Sequence, residues 1–248
     1  MPNYERLLKD KFVNAVIYFS PTGGTEKIAK YAANYLNTSL ISLTTFKEIE
    51  SFSKLKRFNY LVFCFPVYSE NITTPLKKII ANINANYLIL LATYGKMGTG
   101  NILNEVKKKV KAAVIGGAYI PTKHTYKESS YFNDYQSLNG LLNKVINKEV
   151  KEITFPKQRK HLFASFFPHL RSKLGVKIIR TEACVNCGIC DDECPVKAIN
   201  NGKINADCIR CLRCYYKCPN QGLEVKYSFF LRRYLKKDKV IKLIIFEN

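Results

Sequence analysis

Eight of the nine cysteines fall between residues 184 and 218, in two runs of identical spacing. Cys184, Cys187, Cys190 and Cys194 follow C-x2-C-x2-C-x3-C and precede Pro195. Cys208, Cys211, Cys214 and Cys218 repeat the pattern and precede Pro219. Thiols this dense form either a disulfide scaffold or a metal site. Nothing in the chain indicates secretion, and a cytoplasm keeps thiols reduced, so metal is the expectation. Zinc sites take four ligands, usually from two pairs set apart. Two tandem four-cysteine runs, each ending Cys-Pro, are instead the run that holds cubane iron–sulfur clusters. Three thiolates on one tight loop cap three irons, and the fourth reaches a second cluster. All eight cysteines are therefore expected as ligands of two [4Fe-4S] clusters. The ninth, Cys64, sits in an apolar run and is read as core.

A second chemical signal is Ser20-Pro21-Thr22-Gly23-Gly24-Thr25, after an apolar run and at the start of a helical stretch. Hydroxyls and backbone N–H groups at a helix N-terminus form an anion site. The loop has no Lys and is neither G-x-x-x-x-G-K-[ST] nor G-x-G-x-x-G, so it is not a nucleotide or dinucleotide fingerprint. It suits a phosphate monoester held without a counter-charge. Simple helix capping is the plainer alternative. Histidines are few: His124 lies beyond the fifth apolar run, and His161 and His169 lie further on. A lone His near a pocket is more often structural than catalytic; His124 is the candidate should proton transfer be needed, and no catalytic residue is assigned.

The elements that must position these residues are legible as alternating apolar runs and helix-like stretches. Strands are expected at Val13–Phe19, Leu40–Leu43, Tyr60–Phe65, Tyr87–Thr93 and Ala112–Ile120. Helices are expected at Thr25–Tyr35, Pro75–Ile83, Ile102–Val110 and Leu138–Val150. Alternation of this kind gives an α/β fold with a doubly wound parallel sheet of five strands, whose ligands bind at the strands' carboxyl ends. The expected organisation is an α/β unit over residues 1–150, a basic aromatic linker over 151–175, the cysteine module over 176–226 and a basic tail over 227–248.

Apolar residues make up 47% of the 248 and charged residues 24%, which is globular composition. No apolar run approaches the ~20 residues of a membrane helix. Phe12–Phe19 has the length of a signal-peptide core but leads into the Ser/Thr/Gly loop, so a buried strand and a cytoplasmic protein are expected. The net charge is +21. Residues 151–180 carry eight basic and one acidic side chain, and residues 227–248 carry six and two. An acidic redox partner or an anionic membrane surface would suit this excess. No nucleic-acid motif accompanies the basic residues, so no nucleic-acid partner is expected.

Two resemblances join these signals. Residues 176–226 resemble the bacterial-type two-cluster ferredoxins, a small α+β fold of two pseudo-symmetric halves, with Asn200-Asn201-Gly202 as a hairpin turn. That resemblance implies one cluster on Cys184, Cys187, Cys190 and Cys218, and the other on Cys208, Cys211, Cys214 and Cys194. Residues 12–150 resemble flavodoxins, whose phosphate loop reads [ST]-x-T-G-x-T. The resemblance implies FMN, with its phosphate at Ser20, Thr22, Gly23, Gly24 and Thr25. It implies that the isoalloxazine lies between two loops, one with Pro66, Val67 and Tyr68, the other with Thr93, Tyr94 and Gly95 followed by Lys96. The chain has no Trp, so Tyr68 and Tyr94 are the available stacking residues. As a whole it resembles flavodoxin-like/ferredoxin-like fusion proteins. That implies a relay of low-potential electrons between clusters and FMN, or an FMN-dependent reductase of a small substrate fed by the clusters.

Overall fold

A computed structural model describes residues 13–52, 57–95, 98–127, 132–158, 168–236 and 242–247. Lys96, Met97, His161, the apolar stretch 162–167 and the tail lysines 237 and 239 lie outside the described residues.

The first unit runs β1 (Val13–Tyr18), α1 (Gly24–Tyr35), β2 (Ser39–Ser42), α2 (Phe46–Phe52), β3 (Phe58–Pro66), α3 (Thr74–Ala81), β4 (Ala85–Tyr94), α4 (Ile102–Lys107), β5 (Ala113–Pro121) and α5 (Asn139–Ile146). These five strands are parallel, in the order β2-β1-β3-β4-β5. Residues alternate across the sheet, as a period of two requires. Ala15, Ile17, Phe19, Phe63 and Phe65 bury one face against Ile49, Leu76, Ile79 and Ile102. Val16, Val62, Ile89 and Leu91 bury the other against Ile28, Leu141 and Leu142. Covering both faces is what makes the strands read as continuous apolar runs. Cys64 is fully buried in this core, and burial pushes its thiol up.

The sheet departs from the expected five parallel strands in one respect. A sixth strand, β10 (Ile244–Phe246), pairs antiparallel with β5, Ile244 opposite Tyr119 and Phe246 opposite Gly117. It comes from the basic tail, where the apolar run Leu243–Phe246 is too short to signal a strand. Phe246 packs edge-on against Tyr119 and Phe155. Phe155 and Ile153, in the segment that leaves the first unit, are buried in the same core.

The cysteine module holds α6 (Pro168–Gly175), β6 (Val176–Arg180), α7 (Ile189–Asp192), β7 (Ile199–Asn200), β8 (Lys203–Ile204), α8 (Arg213–Lys217), β9 (Leu223–Tyr227) and α9 (Phe229–Leu235). β6 and β9 pair antiparallel, Val176 opposite Tyr227. The β7–β8 hairpin turns at Asn201 and Gly202, both at positive φ, as an I′ turn needs. The module rests on the first unit. Ile209 and Cys211 join the core around Phe63 and Phe65. Lys197 lies 4.1 Å over the ring of Phe46, and Lys47 pairs with Asp192 at 2.8 Å.

Candidate functional site

The two cysteine runs fold as near-copies. In the first loop Asn186 and Gly188 have positive φ; at the equivalent places of the second, Arg210 and Leu212 do. A left-handed residue between successive cysteines curls the loop and turns backbone N–H groups toward sulfur. Arg210 N–H donates to Cys208 Sγ at 3.4 Å, Ala198 N–H to Cys194 Sγ at 3.2 Å and Gly222 N–H to Cys218 Sγ at 3.1 Å. Such bonds stabilise negative charge on sulfur and help set a cluster's potential.

The loops line two separate cavities, and each run contributes to both. Cys184, Cys187 and Cys190 share a cavity with Cys218. Cys208, Cys211 and Cys214 share one with Cys194, among Ile178, Ile199 and Ile204. In the second cavity all four cysteines are buried, whereas Cys187 of the first is exposed. Burial pushes the Cys214 thiol up to about 12 and Cys211 further, so thiolates there need the charge of a bound metal. A dry pocket lined by four cysteines, with N–H donors to two of their sulfurs, has the donor set an iron–sulfur cluster needs.

At the carboxyl ends of β1, β3, β4 and β5 lies a third cavity, at the topological switch point where ligands bind in open α/β sheets. Its wall includes Ser20, Pro21, Thr22, Gly24 and Thr25 from the first loop, and Pro66, Val67 and Tyr68 after β3. Thr93 and Gly95 come from the end of β4. The Thr25 and Thr93 hydroxyls share a 2.7 Å hydrogen bond, which ties the start of α1 to the end of β4. Ser20 Oγ accepts from Glu26 N–H at 3.0 Å, and Ser20 N–H donates to Thr44 Oγ1 at 3.1 Å. Thr73, at the start of α3, has a buried hydroxyl without a hydrogen-bond partner and lines the cavity. An orphaned hydroxyl on a residue of the cavity wall fits the polar edge of a flavin ring.

Tyr94 is not brought to this cavity. Thr93 points there, so by alternation Tyr94 points to the opposite face. It is buried in the core, where its hydroxyl donates to the Lys242 carbonyl at 2.6 Å. Tyr68 does line the cavity, and burial raises its phenol, with Cys211 close enough to add to the effect. Gly23, left-handed at φ 85°, lines an adjoining cavity rather than the main one. That adjoining cavity combines Ser20–Gly24 with Lys123, Arg213 and Lys217, so the phosphate loop does have cations beside it.

Sequence reasoning pointed to His124 beyond β5 but not to its neighbours. Thr122, Thr125 and Tyr126 line the cavity beside His124. The signal was available, because that polar stretch follows the carboxyl end of a strand. His124 packs on Gly95, where an added Cβ would stand 2.6 Å from its Cδ2. Its Nδ1 accepts from Tyr126 N–H at 3.0 Å, which leaves the proton on Nε2. Burial, aided by Lys127, lowers its pKa to about 4 and keeps the ring neutral. The Tyr126 hydroxyl donates to the Arg210 carbonyl at 2.5 Å, joining the β5 loop to the second cysteine loop. Ile209, between Cys208 and Arg210, stands in the wall of both the flavin-type cavity and the second cysteine cavity.

Residues 177–200, which contain the first cysteine run, match the 4Fe-4S binding domain family. No curated protein matches the chain. Among solved structures, a short-chain flavodoxin associated with a PDU bacterial microcompartment is 15% identical, covering 55% of this chain and 98% of its own, with a TM-score of 0.39. A flavodoxin from the domain Archaea is 18% identical over 55% of this chain and 98% of its own, with a TM-score of 0.38. These scores are too low to assign the fold, which rests on the strand order. By that order and the family match, the chain joins a flavodoxin-like α/β fold to a 4Fe-4S ferredoxin domain. Such a combination is electron-transfer machinery.

Proposed function

We propose that this protein relays electrons within one chain, between two [4Fe-4S] clusters and FMN. The observation that carries the reading is Ile209, a single side chain forming a common wall of the flavin-type cavity and the second cysteine cavity. FMN supplies a carrier that exchanges electrons singly or in pairs, and the clusters supply one-electron carriers. Cys208, Cys211, Cys214 and Cys194 would hold the cluster next to the flavin. Cys184, Cys187, Cys190 and Cys218 would hold the outer one, where the exposure of Cys187 favours exchange with a redox partner. Ser20–Thr25 would bind the phosphate, Thr73 and Tyr68 the ring, and neutral His124 offers an Nε2–H donor. Ile209 and Ser172 cover part of the cavity from the cysteine module, which favours an internal relay over direct reduction of a bound substrate. Thiol ligands at this density suit a reducing cytoplasm.

The test is anaerobic reconstitution with FMN, iron and sulfide, then rapid reduction followed at flavin and cluster wavelengths. The expected result is one FMN and about eight irons per chain, with cluster-to-flavin transfer at a rate independent of protein concentration. A rate that rises with protein concentration, or a folded chain that takes up no flavin, would overturn the reading.

A further inference from the structure

The two segments richest in positive charge meet in the fold. α6 and α9 flank the same end of the β6–β9 pair: Ser228 N–H donates to the Gly175 carbonyl at 2.9 Å, and Leu231 lies against Gly175. On this joined surface Phe229 is 67% exposed, Phe230 82% and Leu174 68%. Ser228 caps α9, its Oγ accepting from Leu231 N–H, so the phenylalanine pair is held on an ordered first turn. Lys177, Arg232, Arg233 and Lys236 are exposed around it, and neither helix contains an acidic residue.

We propose that this surface docks the protein on an anionic membrane. Phe229, Phe230 and Leu174 would enter the headgroup–acyl boundary while the cations face lipid phosphates. The charge is complementary to such a surface. The apolar side chains also project rather than line a groove, so a fluid layer receives them without a matching pocket.

The experiment sediments the anaerobically purified, cofactor-loaded full chain with vesicles of phosphatidylcholine, with and without phosphatidylglycerol. Binding is expected only with phosphatidylglycerol and should weaken in high salt. Phe229→Ser/Phe230→Ser and Arg232→Glu/Arg233→Glu should each lower partitioning about tenfold or more, with thermal melting unchanged. Absence of binding to anionic vesicles at low salt overturns the proposal, as does binding that survives loss of the phenylalanine pair. Retention on poly-glutamate without vesicle binding also overturns it and points to an acidic protein partner.

Discussion

Arg213 of the cysteine module donates from Nη1 to the carbonyl of Pro21 in the phosphate loop, 3.2 Å away and 192 residues earlier in sequence. It also pairs with Glu193, and its Nε is buried without a hydrogen-bond partner. The Ser20–Thr25 loop thus has a cation from the other module beside it. Arg213→Ala should weaken FMN binding by about ten- to a hundredfold, the range for a lost hydrogen bond to a charged group. The FMN dissociation constant, measured by fluorescence quenching across a salt series, checks this. The cluster spectrum of the variant shows that the neighbouring Cys214 site is intact. Equal affinities would mean that Arg213 only docks the modules.

Thr73 offers an independent probe of the ring site. Thr73→Val keeps the volume and removes the orphaned hydroxyl. FMN affinity should fall by about 0.5–1.5 kcal/mol. Riboflavin, which lacks the phosphate, should lose the same increment, whereas Arg213→Ala should leave riboflavin binding unchanged.

The Thr25–Thr93 hydrogen bond makes Thr25 structural as well as a candidate ligand. Thr25→Val leaves the buried Thr93 hydroxyl with only the Phe65 carbonyl at 3.4 Å. Flavin-free protein should lose about 0.5–1.5 kcal/mol of unfolding free energy, the net worth of one hydrogen bond. Chemical denaturation with flavin removed measures it.

His124 makes stability depend on pH in a defined window. Its folded pKa of about 4 lies below the unfolded value near 6.5, so between these values the unfolded chain binds more protons. The contribution is complete above pH ~6.5 and is lost as pH falls toward 4. At about 1.36 kcal/mol per unit the ceiling is about 3 kcal/mol, and partial solvent access reduces it. The melting temperature of His124→Gln should fall less steeply than that of the wild type over this range. Parallel curves would show that His124 is not held neutral.

The crossed lining of the cysteine cavities makes opposite predictions for the fourth cysteines. Cys194→Ser should damage the cluster of the second loop, and Cys218→Ser that of the first. EPR of reduced variants, compared with Cys187→Ser and Cys211→Ser as references, identifies which centre is lost. Each variant losing its own run's cluster would refute the crossing.

Much of this was legible in the chain because local patterns carry it. Apolar runs such as Tyr60–Phe65 mark strands buried on both faces, and the cysteine spacing marks its own chemistry. The sequence offers Tyr94 as a stacking residue, but alternation from Thr93 turns it inward to the core, where the structure places it. Ile209, Arg213 and β10 were not legible, because each acts through contact with residues far away in sequence. An isoleucine between two cysteine ligands looks like filler until the loop is docked on Phe63 and Phe65.

The pairing of β10 with β5 places Ile244 beside Tyr119, on opposite sides of both cysteine runs. During synthesis the edge of β5 stays open, a template for mispairing, until a strand made after the whole iron-binding region arrives. The sheet closes only when a strand from beyond both cysteine runs returns to β5, so this pairing is among the most non-local in the fold. Once closed, the metal-binding region is anchored at both ends, and it cannot swing away from the first unit on a single hinge.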